Sequence, residues 1–401
     1  MGRYVFTKRS SPSSSAPALI LLSLVCLLSC SEGGGAEREE EIVIGVIAPL
    51  TGDLFFSGAP TVEGAALAAD EIRRAGGLAV GSRRRAIRLV IEDDAGRPET
   101  GVSKAVKLIT VDRAAALIGP TVSDIAIAVA RVAEENRVPM IATLSTSPET
   151  TRGKEYAFRA TFSDDFQGRL MARFAAEELG ARRAAVLVDA GSTYSRGFAQ
   201  VFADAFSEEG GTEVAVESFT ADESAAVDQL ARIREAEPDV LVLPVYDIYV
   251  PPLMRQARRA GITATFLGGD SWDLIDFDEH PERGASFFSA VWSSELADER
   301  TKRFVDSFET SYGKVPRSAA AIAYDALAMI CRAIENRGDA APESIRMGLR
   351  SLGEFRGVTG TIRYGVTGDP RRSAVILEMD GSGRAWVKKR IEPRDAGAAF
   401  P

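Results

Sequence analysis

From residue 41 onward, the chain alternates short apolar stretches with longer amphipathic ones. The short stretches are rich in β-branched residues and run for four or five positions, which is typical of buried strands. The longer ones, such as residues 65–74, have helical periodicity, and that helix ends at Gly76-Gly77. This alternation predicts βαβ units and a parallel sheet. The first four predicted strands are Ile42–Val46, Ile87–Ile91, Ala115–Ile118 and Pro139–Ala142.

The same alternation restarts after about residue 160. Helices are then predicted over 298–353, followed by two hairpins around 357–364 and 373–388, the second turning at Asp380–Gly383. A chain of 401 residues exceeds what one hydrophobic core usually organises. We therefore predict two doubly wound, Rossmann-like α/β lobes. The second group of predicted strands is Ala184–Val188, Glu213–Val216, Val240–Leu243 and Thr265–Leu267.

The N-terminus has the pattern of an export signal. Basic residues between Arg3 and Arg9 precede the apolar run 16–25, which is too short to span a bilayer. The run ends in Leu27-Leu28-Ser29-Cys30, which resembles the lipobox of bacterial lipoproteins, so we expect Cys30 to be acylated. The alternative is an ordinary signal peptide with Cys30 incidental. Residues 31–41 are glycine-rich and acidic, as expected of a tether to the membrane.

Net charge and cysteine content limit which partners and which cysteine chemistry are compatible with the sequence. The net charge is −9, and the first 30 residues carry three positive and no negative charges, so the remainder carries −12. Such an acidic body is a poor match for nucleic acid or anionic headgroups. Beyond the N-terminal segment only Cys331 remains, within an apolar helical pattern, so we expect a buried hydrophobe and neither a disulfide nor a cysteine metal site.

Nothing in the sequence indicates catalysis. The single histidine, His280, lies in a polar loop, and there is no phosphate-binding loop, zinc motif or nucleophile elbow. We therefore predict that the protein is not an enzyme and needs no metal or cofactor.

Candidate binding residues of the first lobe follow its predicted strands. Open parallel sheets bind ligands at the carboxyl ends of their strands, beside helix N-termini. Ser123 follows the third strand and could offer its hydroxyl and helix N–H groups to a carboxylate; the alternative is that Ser123 or Asp124 only caps the helix. After the fourth strand, Ser147 is the natural cap, while Ser145 and Thr146 could face the cleft or satisfy their own loop.

The second lobe offers two tyrosines and one acid at its strand exits: Tyr194, Tyr246 and Asp270. A carboxylate opposite a pair of hydroxyls is what a zwitterionic amino acid requires, because its ammonium needs an acceptor and its carboxylate needs donors. The alternatives are that the tyrosines only pack and that Asp270 is a turn or cap residue.

Several segments resemble the periplasmic leucine/isoleucine/valine-binding proteins, which have the type I periplasmic binding-protein fold. The segments are Ile44–Gly52, Ala69–Ile72 with the following glycine pair, and Glu92–Asp94, and the resemblance extends over about 41–390. It implies that Ser123 and Thr146 bind the α-carboxylate, that the Leu144 carbonyl and Asp270 take the ammonium, and that Tyr194 and Tyr246 close over the ligand.

This chain departs from the family where the ligand side chain would lie. Ser57 stands where several members have an aromatic residue, and Phe55 and Phe56 precede it. Trp272 has no fixed counterpart, and Asp270 replaces a frequent glutamate; Val122 stands where the family has a disulfide cysteine. These changes predict an altered side-chain pocket, for which the candidates are Ser57, Phe56, Ser145 and Trp272.

The resemblance also implies a mode of action. Two lobes joined by three crossovers, near residues 160, 292 and 358, would close over an amino acid and deliver it, as a monomer, to an ABC transporter permease. The alternatives are a receptor that feeds a membrane sensor and an amide or urea ligand. The expected divisions are a signal peptide (1–29), a lipidated cysteine and tether (30–41), lobe 1 (42–160 and 293–357), lobe 2 (161–292 and 358–392) and a C-terminal tail (393–401).

Overall fold

The computed structural model describes residues 41–220, 226–274, 286–296, 298–365, 367–379 and 385–392. The predicted signal peptide, the Cys30 anchor, the tether up to residue 40, His280, the Asp380–Gly383 turn and the C-terminal tail lie outside the described residues. Among the described helices, none is both long and apolar enough to cross a bilayer.

The strands alternate with helices through most of the described chain. The strands are β1 (Ile42–Ala48), β2 (Leu78–Val80), β3 (Arg83–Arg85), β4 (Ile87–Asp93), β5 (Ala116–Ile118), β6 (Met140–Ala142), β7 (Ala157–Arg159), β8 (Arg183–Asp189), β9 (Thr212–Phe219), β10 (Val240–Val242), β11 (Thr265–Gly268), β12 (Ser286–Ala290), β13 (Glu354–Gly357), β14 (Gly360–Tyr364), β15 (Pro370–Arg372), β16 (Ala374–Met379) and β17 (Ala385–Ile391). The α-helices are α1 (Gly58–Arg74), α2 (Pro98–Thr110), α3 (Ser123–Asn136), α4 (Asp164–Glu177), α5 (Thr193–Glu208), α6 (Val227–Glu235), α7 (Val250–Arg259), α8 (Glu299–Tyr312), α9 (Ser318–Arg337) and α10 (Pro342–Arg350).

The first sheet is parallel, with strand order β4-β1-β5-β6-β7. Alternate residues of β1 point to opposite faces. Ile44 and Val46 belong to the hydrophobic cluster that includes α1, α8, α9 and α10, and Ile47 belongs to the cluster of α2 and α3. The sheet therefore carries helices on both faces, and the predicted doubly wound α/β lobe is confirmed.

The second sheet has seven strands in the order β17-β16-β12-β11-β10-β8-β9. The five strands β8 to β12 are parallel, whereas β16 and β17 add to the edge as an antiparallel hairpin. Here Leu187 packs with α6 and α7, and its neighbour Val186 packs with α4 and α5. A second doubly wound lobe is thus present, but its sheet is mixed because β16 runs antiparallel to both of its neighbours, β12 and β17.

The hydrophobic clusters revise the predicted lobe boundaries at one crossover. β7 ends the first sheet at Arg159 and β12 ends the parallel part of the second at Ala290, close to the first two predicted crossovers. However, Ile362 and Tyr364 belong to the cluster of the first lobe, and Val375 to a cluster of the second. We therefore place the third crossover near residue 373 and assign 358–372 to lobe 1.

Several short strands escaped the sequence analysis for identifiable reasons. β3 consists of three arginines and pairs with β2 in a small surface hairpin. β7 is three residues long and ends in an arginine. β12 is buried on both faces, but Ser286 and Ser289 interrupt its apolar pattern. The predicted single hairpin near 357–364 is extended by β15 into a three-stranded antiparallel sheet.

Candidate ligand-binding cleft

One cavity lies between the carboxyl ends of the parallel strands of the two lobes. It encloses about 430 Å³ of empty space, including space open to solvent. The structure brings all six predicted ligand-binding residues to this cavity, together with Ser57 from the predicted side-chain pocket. The lining residues are Leu54, Ser57, Thr121, Val122, Ser123, Leu144, Thr146, Tyr194, Tyr246, Asp247, Asp270, Ser271 and Leu274.

Ser123 presents the N-terminus of α3 to the cavity. It is the first residue of the helix, and the N-cap position is held by Val122, which has no capping side chain. The alternative that Ser123 caps the helix is therefore wrong. Instead, its hydroxyl accepts a hydrogen bond from Ser145 Oγ at 3.3 Å. Because the first N–H groups of a helix have no partner within it, this end of the cavity favours an anionic group.

The loop after β6 supplies Leu144 and Thr146, and a buried arginine fixes its backbone. Arg159 on β7 has no solvent exposure and donates hydrogen bonds to the carbonyls of Ser145 at 3.1 Å and Ser147 at 2.7 Å. Ser147 precedes a 3₁₀ turn, but its side chain makes no capping hydrogen bond. The loop therefore takes its shape from Arg159 and not from the predicted Ser147 cap.

Two tyrosines form the wall of the second lobe. Their rings lie 5.3 Å apart between centroids, with Tyr194 in the first turn of α5 and Tyr246 just after β10. The Tyr246 hydroxyl accepts a hydrogen bond from the Ser123 N–H at 3.3 Å. Tyr194 fits only because residue 269 is glycine: a Cβ there would lie 2.2 Å from the tyrosine oxygen. Burial raises the pKa of each tyrosine further above its usual value, so both hydroxyls remain neutral hydrogen-bonding groups.

Further hydrogen bonds join the lobes beside the cavity. Asp124 of α3 accepts from the backbone N–H of Thr193 at 3.3 Å and from the Thr193 hydroxyl. Asp273 in the second lobe accepts from the N–H of Ser318, the first residue of α9, at 3.0 Å. These contacts hold the two walls together, so the structure is that of lobes in contact across the cavity.

At the acidic end of the cavity, Asp270 is coupled to a second buried carboxyl group, that of Asp164, which lies outside the cavity lining. The Gln167 amide bridges them, since its Nε2 donates to Asp164 at 2.8 Å and to Asp270 at 3.2 Å. Burial, followed by repulsion from Asp164, raises the pKa of Asp270 to about 8. Burial likewise raises the pKa of Asp164 to about 6. A cationic group next to Asp270 would favour its ionised form and relieve this unfavourable arrangement.

Three of the predicted pocket residues lie elsewhere. Phe56 is 45% exposed and stacks on Phe55 outside the cavity lining. Trp272 is fully buried in the second lobe, where its indole N–H donates to the Leu243 carbonyl at 3.1 Å. Ser145 lies behind Ser123, so it supports the binding residue and does not line the cavity. In each case, adjacency in sequence to a lining residue was a poor guide, because neighbouring side chains point in different directions.

Several lining residues and the second buried acid were not predicted from the sequence. Thr121 and Asp247 each lie within two residues of a predicted site residue, and Ser271 directly follows Asp270. Asp164 and Gln167 lie in the first turn of α4, after the first crossover, where they have the pattern of an ordinary helix N-terminus. The topology could have indicated them, because the chain returns to the cavity end of the sheets at the first crossover, just before α4.

The arrangement suits capture of a small solute. Hydroxyl and N–H donors of the first lobe line the cavity at one point and Asp270 of the second lobe at another, with aromatic rings beside them. Among the described residues, no group of three or more histidine, cysteine or acidic side chains is placed to hold a metal ion. Two α/β lobes that enclose one such cavity define a solute-binding protein of the clamshell class.

Comparisons with known proteins give the family. Residues 41–384 match the periplasmic binding protein family. The Leu/Ile/Val-binding protein BraC3 of Rhizobium johnstonii is 30% identical over 357 residues, which are 88% of this chain and 95% of the relative. The chain belongs to the periplasmic binding protein family, and within it to the type I proteins of the branched-chain amino-acid group.

Solved structures agree with this placement. The crystal structure of a leucine binding protein from Thermotoga maritima matches with a TM-score of 0.81 and 30% identity, and covers 88% of this chain and 99% of that protein. The branched-chain amino acid substrate binding protein LivJ of Streptococcus pneumoniae, solved in complex with isoleucine, matches with a TM-score of 0.79 and 26% identity, and covers 88% of this chain and 100% of that one. The predicted fold and family are confirmed.

Proposed function

We propose that this protein binds one amino acid between its lobes, outside the cytoplasm, and delivers it to an ABC importer. The observation that carries the proposal is the pairing of Ser123 with Asp270. Ser123 contributes a helix N-terminus and a hydroxyl from one lobe, and Asp270 contributes a buried carboxyl from the other, to the same cavity. A zwitterion matches both ends, because its carboxylate accepts from the first and its ammonium donates to the second.

The acidic end favours an amino acid over an amide or urea. An uncharged ligand would leave Asp164 and Asp270 as two neighbouring buried acids joined only through Gln167. An ammonium group supplies the missing positive charge at that point. The names of the relatives support the same ligand class, since the Rhizobium relative is a Leu/Ile/Val-binding protein and LivJ was solved with isoleucine.

Export and membrane anchoring complete the proposal. The basic N-terminal residues, the apolar run 16–25 and the lipobox-like segment ending at Cys30 support a lipid-anchored protein that faces the periplasm or the cell exterior. Residues 31–40 would let the body reach a permease in the same membrane system, because an extended residue spans at most about 3.5 Å.

A thermal-shift screen tests the ligand class. The purified protein is heated with amino acids, amides and small carboxylates in turn. A ligand that binds only the folded state raises the melting temperature by mass action. At a ligand concentration of 100 times the dissociation constant, the free energy of unfolding increases by about 2.7 kcal/mol. We expect amino acids to stabilise the protein and their amides and deaminated acids to have much less effect. Stabilisation by amides alone would refute the proposal.

Binding should strengthen as the pH rises from about 6.5 to 8. The pKa of Asp270 is about 8 without a ligand, so at lower pH the carboxyl must release a proton before it can hold an ammonium. The affinity should therefore increase by up to about tenfold per pH unit and level off above pH 8. Isothermal titration calorimetry at three pH values measures this, and two buffers of different ionisation enthalpy count the released proton. A flat profile would contradict the role of Asp270, and Asp270→Asn should remove the slope.

A further inference from the structure

One part of the cavity is lined by hydroxyl groups. Ser57 is 5% exposed and lines the cavity from the first lobe. Its Oγ lies 2.9 Å from the hydroxyl of Thr121, which lines the cavity as well. An aromatic ring at 57 would close this space with an apolar surface. Instead, one of the two hydroxyls donates to the other and Ser57 donates to the Leu54 carbonyl at 3.4 Å, so the pair offers a ligand chiefly acceptor lone pairs.

Asp247 adds a buried acid to the same cavity. It follows β10 and Tyr246 as the first residue of a 3₁₀ turn, and it is 6% exposed. Its Oδ2 is buried, and none of the described residues donates a hydrogen bond to it. A buried carboxylate oxygen without a donor costs free energy that a donor on a bound molecule would recover.

The environment of Asp247 agrees with this. Burial raises the pKa of its carboxyl to about 6, although the backbone N–H groups of Ile248 and of Asp247 itself, and the Arg317 guanidinium, act in the opposite direction. A hydrogen-bond donor on a bound molecule would therefore stabilise the Asp247 carboxylate. Asp270 differs, because it already accepts a hydrogen bond from the Gln167 amide.

We infer that Ser57, Thr121 and Asp247 form a polar subsite for the ligand side chain, which makes this protein selective for amino acids whose side chains carry an O–H or N–H donor. Leu54 and Leu274 line the same cavity and would pack against the methylene part of such a side chain. The inference rests on the proposed function, because the subsite matters only if the cavity binds an amino acid. The expected ligands are polar amino acids similar in size to the branched aliphatic ones named for the relatives.

Pairs of amino acids that differ little in shape provide the test. Dissociation constants are measured by calorimetry for threonine against valine and for asparagine against leucine, with the purified protein. We expect the donor-bearing member of each pair to bind at least about tenfold more tightly, because a site built to hydrogen-bond a group rejects the analogue that lacks it. Asp247→Ala should reduce that preference to below about threefold. Asp247→Asn, which keeps the side-chain volume, gives a second variant if the alanine variant does not fold.

Asp189→Ala is the matched control. Asp189 is also a buried aspartate at a strand exit of the second lobe, with 5% exposure, but it is not part of the cavity lining. Its removal should leave the preference unchanged. Tighter binding of valine and leucine by the unmodified protein would overturn the inference and leave the proposed function standing. A preference that persists in Asp247→Ala would overturn the assignment to this subsite. Binding of no amino acid at all would overturn both proposals.

Discussion

Replacing Asp270 with alanine is expected to weaken amino-acid binding by about 2 to 4 kcal/mol, because a buried ammonium would lose its charged partner. The effect should be largest above about pH 8, where the carboxyl is mostly ionised before the ligand binds. At lower pH, part of the interaction is already spent on releasing the Asp270 proton, so the difference between the two proteins should shrink. Calorimetry at pH 6.5 and pH 8 measures both quantities.

Two further substitutions at the same position separate charge from shape. Asp270→Asn keeps the size of the side chain and removes the charge, so it should weaken binding nearly as much as alanine does. Asp270→Glu keeps the charge one methylene further out and should retain most of the affinity. An affinity of Asp270→Ala within about threefold of the unmodified protein would remove Asp270 from the site. Loss of binding in Asp270→Glu alone would show that shape, not charge, dominates.

The sequence predicted the fold well because its periodicity is set by burial on the sheets. β1 and β8 are buried on both faces and appear as mostly apolar runs, as expected of a parallel sheet covered by helices on both sides. The third crossover was misplaced for a physical reason. The strands between Glu354 and Arg372 are short and partly exposed, so their pattern does not reveal which lobe they cover.

The residues that line the cavity were predictable where they follow strands. Ser123, Tyr246 and Asp270 all lie at the carboxyl ends of parallel strands, and the topology forces these ends toward one edge. Contacts between distant segments were not predictable from the sequence. Gln167 bridges two acids 106 positions apart in the chain, a pairing that appears only when α4 crosses into the second lobe. Trp272 was misassigned because the 3₁₀ turn rotates it away from the cavity and into the core.

Arg159 is the clearest example of a residue that the sequence pattern did not single out. It occupies the last position of an otherwise apolar three-residue strand and is completely buried. Its Nε lies 2.5 Å from a carboxylate oxygen of Asp369, which the Thr151 hydroxyl also contacts at 2.7 Å. Together with its bonds to the carbonyls of Ser145 and Ser147, this guanidinium joins the loop that contributes Leu144 and Thr146 to the cavity to the segment before the third crossover.

Arg159→Met is expected to lower the free energy of unfolding by about 3 kcal/mol, since removal of one partner from a buried ion pair typically costs 3 to 5 kcal/mol. The lower end applies because Asp369 is 35% exposed and can be rehydrated, while the carbonyls of Ser145 and Ser147 lose their donors inside the protein. Urea titration of both proteins measures the change. The loop that holds Leu144 and Thr146 should also loosen, so amino-acid affinity should fall by several-fold even where the variant is fully folded.

The same loop contains the control. Arg152 pairs with Glu149 at 2.5 Å, but the side chains are 64% and 54% exposed. Because water screens such a pair, Arg152→Met should change the free energy of unfolding by less than about 1 kcal/mol and leave affinity unchanged. If Arg159→Met changed stability and affinity as little as Arg152→Met does, the loop would be held by its own backbone and not by Arg159. A large effect of Arg159→Met alone would show that one buried cation sets both the stability of the first lobe and the position of the loop that lines the cavity.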